Sequence, residues 1–420
     1  MERYSEYKDS RVKWLGEIPS HWEVEPFGRH FSFRKGLPIT KANLIESGEA
    51  VISYGQIHSK ENLGTTLSES LVRYVSHDYL KSHPQCLLTK DDFIFADTSE
   101  DIAGSGNFVY NDFPANIFAG YHTIVAKQSG LYNPRYYAYL FKSECWRNHI
   151  RSLVNGVKVY SIGRKQLKSN FLLFPSYKEQ DAIVRYLDAA TSKIDKAIAM
   201  QQKMIDLLNE RKQIIIQNAV TKGLDDKVEM KDSGVEWIGM IPKHWEIIRI
   251  KHLAKLQSGS NLTSNEISDT GSYPVYGGNG LRGFYGSYNC EGSYVLIGRQ
   301  GALCGNINYA EDKFWATEHA VVCYPKKKYN TLWFGEVLRL MNLGQYSLAS
   351  AQPGLAVERI KGLYVPNPSI EEQNKIALFL KQNIDKIDLY ARHCQRQIAL
   401  LQERKQIIIN EVVTGKVKVS

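Results

Sequence analysis

The sequence lacks a long hydrophobic run, and its cysteines stand in no metal-binding pattern. Its first residues, MERYSEYKDSRVKW, are charged and contain no apolar core, so they do not form a secretory signal. No apolar run approaches the length of a membrane span. The six cysteines form no CxxC pair, and none lies at zinc-finger spacing from a histidine. We therefore expect a cytoplasmic protein with free thiols and no bound metal.

Motifs of nucleotide-dependent enzymes are missing as well. There is no GxxxxGK[ST] loop for ATP. There is also no Asn/Asp-Pro-Pro-Tyr/Phe, the motif with which an amino-methyltransferase holds its target base. The FAG triplet at Phe118–Gly120 is followed by Tyr121 and does not make a methyl-donor loop. We expect no catalytic residue and no cofactor in this chain.

What the sequence does contain is a moderate excess of positive charge. Its 420 residues include 53 Lys and Arg against 44 Asp and Glu, a formal net charge of +9. This balance favours a polyanionic partner, which charge alone leaves open as DNA, RNA or an acidic membrane surface. The length predicts two domains plus connecting elements.

The strongest feature of the sequence is an internal repeat. Lys8–Trp22, KDSRVKWLGEIPSHW, and Lys231–Trp245, KDSGVEWIGMIPKHW, are identical at ten of fifteen positions. A second pair of segments, Pro175–Lys222 and Pro368–Gly415, shares the core ERKQIII. The sequence therefore predicts two similar modules, each ending in a segment of the same type.

The repeat also predicts that the chain ends meet. After the first ERKQIII segment the chain continues into KDSGVEWIG, whereas after the second it reads VTGKVKVS. The corresponding continuation, KDSRVKWLG, stands at the start of the sequence. This pattern is typical of a pseudo-two-fold ring opened at one junction, so we expect the two ends to lie close together.

The ERKQIII segments are predicted to be long paired helices. Glu179 to about Val220 has no Pro or Gly, and its apolar residues recur at alternating steps of four and three, the seam of a coiled coil. We expect two antiparallel rods of about 60 Å each; the alternative is two ordinary core helices. The seam residues are Ile194, Ile198, Ile205, Leu208 and Ile215 in the first copy and Ile387, Ile398, Leu401 and Ile408 in the second, with Lys212 and Lys405 at matching places.

Between the repeated segments the two halves diverge in sequence. Phe27–Leu173 and Ile250–Val365 are rich in Gly, Tyr, Ser and Asn, with short apolar runs such as GSYVLIG. Such runs between turn residues predict short strands. Each half also contains one predicted helix, at Arg135–Ser152 and at Leu332–Leu343. We expect two mixed α/β domains with different interiors, which suggests two similar binders with different specificities.

Polar and cationic side chains stand among glycines on the predicted loops. Arginine can bond bidentately to guanine, and Asn or Gln to adenine, in the major groove of DNA, while glycine lets a backbone approach a duplex closely. For any one residue the alternative is a phosphate contact or plain exposure to solvent. The candidates for DNA binding are Tyr54, Gln56, His58, Lys158, Tyr160, Arg164 and Lys165 in the first domain, and Tyr276, Asn279, Arg282, Arg299, Gln300 and Gln352 in the second.

Aromatic residues of the repeats are interpreted mainly as structural. Each copy of the first repeated segment carries two tryptophans. We expect them to be packing anchors between domain and helix; a partner-binding surface is the alternative. The tryptophans are Trp14, Trp22, Trp237 and Trp245.

Two histidines between the repeated segments are interpreted in the same way. His122 and His319 precede apolar runs and are interpreted as buried structural residues rather than ligands.

These features together resemble the specificity subunit of type I restriction–modification enzymes. The resemblance is carried by WLGEIPSHW and WIGMIPKHW, by YPVYGGNGLRGFY, LIGRQGALCGN, FWATEHAVV and SAQPGL, and by the P-S-x-x-EQ starts of both ERKQIII helices. It covers essentially the whole chain. It implies a first target-recognition domain with its lead-in segment at residues 1–175, a spacer helix at 176–222, a linker and second recognition domain at 223–367, and a second spacer helix with a tail at 368–420.

The resemblance also implies a function and partners. Each recognition domain would read one half of a bipartite site in double-stranded DNA, and the paired helices would set the spacer and dock two methyltransferase subunits. S-adenosylmethionine, ATP and Mg²⁺ would be bound by partner subunits, among them translocase–nuclease subunits. The alternatives are a modification-only system without nuclease, a coiled-coil scaffold for proteins, and a stand-alone enzyme.

Overall fold

The computed structural model describes residues 2–113, 115–156, 158–301, 303–347 and 354–419. The chain forms two compact units. Unit 1 comprises Met1–Met200 and Gln397–Ser420, and unit 2 comprises Gln201–Arg396. The first unit therefore contains both ends of the chain, and the second is one continuous segment.

Unit 1 is built from short strands and helices that precede a long helix. Its strands are β1 (Tyr7–Asp9), β2 (Glu17–Pro19), β3 (Glu23–Pro26), β4 (Phe31–Lys35), β5 (Glu49–Ile52), β6 (Arg73–Val75), β7 (Leu87–Leu88), β8 (Phe93–Ala96), β9 (Thr98–Ser99), β10 (Phe108–Tyr110), β11 (Ile117–Ala119), β12 (Thr123–Gln128), β13 (Tyr160–Ser161) and β14 (Phe171–Phe174). Its helices are α1 (Phe27–His30), α2 (Tyr54–Ile57), α3 (Tyr79–Ser82), α4 (Pro134–Lys142), α5 (Glu144–Leu153) and α6 (Arg164–Lys168). The long helix α7 (Tyr177–Lys222) begins in unit 1 and ends in unit 2.

Unit 2 has the same kind of composition. Its strands are β15 (Met230–Asp232), β16 (Met240–Pro242), β17 (Glu246–Arg249), β18 (Ala254–Ser258), β19 (Tyr273–Gly277), β20 (Gly280–Tyr285), β21 (Cys290–Glu291), β22 (Tyr294–Gly298), β23 (Ile307–Ala310), β24 (Lys313–Ala316), β25 (Ala320–Pro325) and β26 (Tyr364–Asn367). Its short helices are α8 (Ile250–Leu253), α9 (Thr331–Leu340) and α10 (Val357–Ile360). The long helix α11 (Ile370–Val413) begins in unit 2 and ends in unit 1.

The sheets of the two units have the same strand order. In unit 1 the larger sheets run β10-β8-β12-β4 and β6-β5-β11-β7, and in unit 2 they run β23-β22-β25-β18 and β20-β19-β24-β21. In each second sheet the central pair is parallel, β5 with β11 and β19 with β24. The predicted mixed α/β domains are confirmed. Although their sequences have diverged, both domains have the same strand topology.

The paired long helices are also confirmed within each unit. In unit 1, Leu187 of α7 and Val412 of α11 join the main core, and in unit 2 Ile216 of α7 packs with Leu380 of α11. Closer to the middle of the rods, Lys405 bonds Asp195 and Lys212 bonds Asp388, so the helices run antiparallel in both places. The predicted seam residues are buried or half-buried on these exposed rods.

Two of the predicted tryptophan anchors are confirmed by deep burial. Trp22 and Trp245 are 0% and 1% exposed. The indole nitrogen of Trp22 donates to Glu179 of α7 at 3.2 Å, and that of Trp245 donates to Glu372 of α11 at 3.0 Å. Each indole therefore joins the lead-in segment of its unit to the first turn of a long helix. Trp14 and Trp237 are half-buried against the same cores.

The chain ends meet as the repeat predicted. The backbone nitrogen of Lys418 donates to the carbonyl oxygen of Glu2 at 2.9 Å. The hydroxyl of Tyr7 donates to the carbonyl of Gly415 at 3.1 Å. Gly415 has φ +71° and lies against Pro19 and Trp22, where a Cβ would overlap the proline ring. The tail and the lead-in segment therefore form one packed junction in unit 1.

The predicted helices inside the domains need correction. Residues 135–152 were predicted as one helix, but Ser143 is extended and separates α4 from α5, with its hydroxyl bonded to the carbonyl of Leu140 at 2.6 Å. The helix predicted to reach Leu343 ends at Leu340, because Asn342 adopts a left-handed φ of 46°. Serine and asparagine compete for backbone hydrogen bonds and so favour helix ends. Short 3-10 helices lie at Lys41–Asn43, Glu69–Leu71, Pro84–Cys86, Ser264–Glu266 and Leu343–Tyr346.

Candidate nucleic-acid interface

One end of unit 2 gathers three of the predicted DNA-binding residues. Strand β22 ends at Gly298, where a Cβ would overlap the carbonyl oxygen of Gly278. This close approach, which only glycine allows, places the loop carrying Asn279 beside Arg299 and Gln300. All three side chains are exposed. We call this group of Asn279, Arg299 and Gln300 the unit 2 tip.

Neighbouring groups hold the unit 2 tip in place. The guanidinium of Arg299 donates to the hydroxyl of Ser258 at 3.3 Å. The amide of Asn306 donates to Oδ1 of Asn279 at 3.2 Å, and this leaves the amide nitrogen of Asn279 to donate elsewhere. The backbone of Gln300 forms a bridge with Gly354. The tip is therefore an exposed set of donors and acceptors on a braced backbone.

Three further candidates in unit 2 differ from this group. The ring of Tyr276 packs edge-on against Phe314, 5.6 Å between centroids, and burial raises the pKa of its hydroxyl. Arg282 is exposed on β20, and one of its terminal nitrogens lies 3.4 Å from the hydroxyl of Ser264. Gln352 lies outside the described residues. Tyr276 thus serves packing in the structure, whereas Arg282 is available to solvent.

The candidates Gln56 on α2 and His58 at its C-terminal end are partly engaged in holding the backbone. Nε2 of His58 lies 2.9 Å from the carbonyl of Thr98, so it carries the proton, and Nδ1 accepts from the amide of Asn107 at 3.1 Å. Oε1 of Gln56 accepts from the backbone of Ser53 at 3.1 Å. The side chains of His58 and Gln56 are half-buried, and these bonds support the loop.

The remaining candidates of unit 1 are Tyr54 and residues on or beside β13 and α6. Burial and the neighbouring carboxylate of Glu100 raise the pKa of the Tyr54 hydroxyl. Tyr160 on β13 pairs with Ser99 on β9, and exposed Lys158 precedes it. Exposed Arg164 and Lys165 follow on α6, a short helix anchored by buried Leu167.

The structure adds Asp97, which sequence reasoning missed. Its backbone nitrogen donates to the carbonyl of His122, and its carbonyl accepts from Ile162 at 2.9 Å. Arg299 makes the equivalent bonds in unit 2, to the carbonyl of His319 at 2.8 Å and from Leu355 at 2.8 Å. Asp97 and Arg299 therefore occupy one backbone position with opposite charges. Aligning FAGYH with WATEH and then following the strand register gives the signal that could have found it.

The interpretation of the two histidines as buried was wrong. The side chains of His122 and His319 are 61% and 38% exposed. Both lie in the turns that join β11 to β12 and β24 to β25, and their side chains reach solvent although the apolar strands after them are buried. Nδ1 of His122 lies 3.4 Å from Oδ1 of Asp97. We call Tyr54, Asp97, Glu100 and His122 the unit 1 tip.

The two tips differ most in charge. The unit 1 tip carries the carboxylates of Asp97 and Glu100, whereas the unit 2 tip carries the guanidinium of Arg299 with two amides. Over the described residues no group of three His, Cys, Asp or Glu side chains is arranged to hold a metal ion. In the same part of the chain, no helix is long and apolar enough to cross a membrane.

Comparisons with known proteins agree with a duplicated DNA-specificity fold. A family model described as the type I restriction modification DNA specificity domain matches residues 19–204 and again residues 242–399. A solved chain from a type I R-M system aligns over 95% of this chain and 99% of its own length with a TM-score of 0.71, at 13% sequence identity. The first comparison identifies the domain, and the second shows the same fold.

Sequence relatives carry the same description. The EcoprrI specificity subunit of Escherichia coli is 42% identical over 140 residues, 32% of this chain and 34% of that protein, so this match spans about a third of the relative. A Methanocaldococcus jannaschii chain provisionally named the MjaX specificity subunit is 24% identical over 455 aligned positions, 98% of each chain. The chain carries two DNA-specificity domains. It belongs to the family of type I restriction–modification specificity subunits, as the resemblance predicted, and target recognition is the role that membership assigns to it.

Proposed function

We propose that this chain is the DNA-reading subunit of a type I restriction–modification complex, and that its two tips read the two halves of one interrupted site. The observation that carries this proposal is the pair Asp97 and Arg299. They share a backbone position in the same topology but carry opposite charges. Two domains that present different groups from the same place are suited to reading two different sequences.

The unit 2 tip suits a half-site that contains guanine. An exposed guanidinium can donate to O6 and N7 of guanine, and an amide such as that of Gln300 or Asn279 can pair with N6 and N7 of adenine. The brace from Ser258 restricts Arg299 before DNA arrives. Such preorganisation lowers the entropy cost of binding.

The unit 1 tip suits a half-site that presents amino groups. The carboxylates of Asp97 and Glu100 can accept from N4 of cytosine. They would repel phosphates, so the cations that position the duplex must come from beside the tip. Lys158, Arg164 and Lys165 are exposed and are our candidates for these phosphate contacts.

The long helices provide a surface for partners in each unit. Leu207 and Ile214 on α7 are 49% and 50% exposed, and their repeat equivalents Leu400 and Ile407 on α11 are 49% and 48% exposed. Residues seven apart lie on one helix face. We propose that each pair docks one methyltransferase subunit, which gives two in the complex. Those subunits bring S-adenosylmethionine, while translocase–nuclease subunits bring ATP and Mg²⁺; this chain supplies no catalytic group.

Mapping methylated adenines tests the proposal directly. Cells carrying this chain with its methyltransferase should show methylation at a two-part sequence with a fixed gap. The variant Arg299→Ala should alter one half of that sequence and leave the other half unchanged. A single uninterrupted motif, or a pattern that does not depend on this chain, would contradict the proposal. Methylation without any cleavage of unmodified DNA would identify a modification-only system.

A further inference from the structure

A group of five lysines in unit 2 stands apart from the tip. Lys326, Lys327 and Lys328 follow β25 and are exposed, as is Lys255 on β18. The ammonium of Lys326 donates to the carbonyl of Lys251 at 3.0 Å, which brings the fifth lysine to the same place. We call these five residues the lysine patch.

The lysine patch has no counterpart in unit 1. Ser129 bonds the carbonyl of His30 just as Lys326 bonds that of Leu253, which fixes the structural equivalence of the two loops. The loops also lead to equivalent caps, Asn133 and Asn330. At the equivalent positions of Lys251, Lys255, Lys326, Lys327 and Lys328, unit 1 has Gly28, Ser32, Ser129, Gly130 and Leu131.

The lysine patch has no direct carboxylate partner among the residues that the structure describes. In the part of the chain that the structure describes, none of its five ammonium groups forms an ion pair. In unit 1 the same region is balanced, since Glu25 contacts both Arg29 and His30. Glu25 is replaced by Ile248 in the second copy. Compared with unit 1, unit 2 therefore has more cations and one fewer carboxylate in this region. This difference raises the local positive potential.

The lysine patch lies at the opposite end of a strand from the unit 2 tip. Ala254, the first residue of β18, pairs with Pro325 beside the patch, and Ser258, the last, contacts Arg299. Four strand steps separate them, a distance of about 13 Å along the backbone. The patch is therefore separated along the strand from the residues of the tip.

We propose that the lysine patch binds the phosphate backbone of DNA that has left the recognised bases, as a second, sequence-independent DNA contact of unit 2. All five cations are lysines, which act as point charges suited to phosphate. Lysine is depleted in protein–protein interfaces relative to the remaining surface, which argues against an acidic protein partner. This inference goes beyond the reading of half-sites and does not depend on which bases the tips contact.

The test is the salt dependence of DNA binding by the full-length chain. The patch variant is Lys326→Ser/Lys327→Ser/Lys328→Ser. The control is Lys41→Ser/Lys81→Ser/Lys90→Ser, which removes the same charge from scattered exposed positions of unit 1. Binding to a random-sequence duplex of about 60 base pairs is measured by fluorescence anisotropy from about 50 to about 300 mM salt. In this range the release of counterions from DNA dominates the salt dependence.

The patch variant should lose about two to three units from the slope of log K against log salt, because each phosphate contact contributes about 0.9. The control should lose less than about one unit, the size of a single such contact. Adding charge in unit 1, with Ser129→Lys/Leu131→Lys, should steepen the slope. Melting temperatures establish that all variants are folded.

Equal slopes for the patch variant and the control would overturn the inference. It would also be overturned if the patch variant bound DNA normally but no longer co-purified with partner subunits, since the patch would then be a protein contact. Failure of this inference can be distinguished from failure of the proposed function. The mapped methylation sequence depends on the tips and should be the same in the patch variant and in the unmodified chain.

Discussion

The ammonium nitrogen of Lys212 lies 2.8 Å from Oδ1 of Asp388 across the two paired helices of unit 2. The repeat equivalents, Lys405 and Asp195, make the same contact at 2.6 Å in unit 1. Each lysine stands at a seam position that would otherwise be apolar. The contact therefore places a charge pair beside a hydrophobic seam and favours the alignment of the two helices in which lysine and aspartate meet.

Removing one charge of this pair should be mildly destabilising. Asp388→Asn should reduce the free energy of unfolding by about 0.5–1 kcal/mol, because a half-exposed ion pair is screened by water. The loss should shrink at high salt. The swap Lys212→Glu/Asp388→Lys should recover most of it, as measured in a double-mutant cycle of urea unfolding. A swapped protein no more stable than the single variants would show that the pair does not couple the helices.

The hydrogen-bonded carboxylate of Glu179, in the first turn of α7, predicts a pH dependence of stability. Burial works to raise the pKa of Glu179, but hydrogen bonds from His21, Ser176 and Trp22 outweigh it and hold that pKa below the ordinary 4.5. A lowered folded-state pKa stabilises the protein above the unfolded value and loses that effect as pH falls through the folded pKa. Glu179→Gln should therefore lower the melting temperature at pH 7, and the difference should shrink as pH falls below the unfolded value of 4.5 and vanish below the folded-state pKa.

Glu372 provides the matched test in unit 2. Its pKa is also lowered, since hydrogen bonds from Trp245, His244 and Ser369 outweigh the effect of burial. Glu372→Gln should show the same pH profile as Glu179→Gln. A deficit that is independent of pH would mean that the carboxylate charge does not contribute, and that the substitutions act through packing alone.

The unit 2 tip predicts a change of specificity without loss of fold. Arg299→Ala should cost about 1–3 kcal/mol of discrimination at one base pair, as expected for a bidentate contact to guanine. Arg249→Ala is the control, because that arginine stacks on Tyr364, 5.1 Å from the ring centroid, in the same unit. Sequencing of methylated sites gives the readout. Relaxation at the same base in both variants would exclude a specific role for Arg299.

Asp97 gives the complementary prediction for the first half-site. Asp97→Asn should change the preferred base at one position of that half-site, because an amide can donate as well as accept. The second half-site should be unaffected. If substitutions at Asp97 change overall affinity and leave base preference intact, then its carboxylate does not contact a base.

The length of the paired helices should set the gap between half-sites. One heptad inserted after Gln201 of α7 and one after Cys394 of α11 would add about 10 Å to each rod. The preferred spacer should then lengthen by about three base pairs, at 3.4 Å of rise each, with both half-sites unchanged. Altered half-sites with an unaltered spacer would disprove the role of the helices as a ruler.

The exposed apolar pairs on α7 and α11 predict the stoichiometry of partners. Leu207→Ser/Ile214→Ser should reduce the bound methyltransferase from two copies to one, because the equivalent pair in unit 1, Leu400 and Ile407, is unchanged. Leu131→Ser is the control, since that leucine is 87% exposed and lies off the helices. The mass of the purified complex measures the outcome, and two copies in the double variant would place docking elsewhere.

The parts of the fold that were predicted are those with local or repeated signals. The seam through Ile194 and Ile387 follows from spacing within one helix, and the junction of Glu2 with Lys418 follows from the order of the repeats. The strand order of the domains could not be predicted, because neighbours such as β5 and β11 are joined only through non-local hydrogen bonds.

The site was predicted in part for the same reason. Arg299 and Gln300 stand among glycines, a local cue for an exposed loop, and the structure brings them together with Asn279. Asp97 has no such cue, and its importance appears only when strand register aligns it with Arg299. The ring of Tyr276 packs edge-on against Phe314, a contact that its place beside glycines in the sequence does not indicate.

The hydrogen bond between Lys418 and Glu2 holds the two chain ends so close together that the ends could be moved to another loop. A short peptide could join these ends covalently, and new ends could be opened in residues 224–228, between α7 and β15. Such a circular permutant would be synthesised with its second module first and should fold to the same product. Module order along the gene is then free to vary while the assembled protein stays the same.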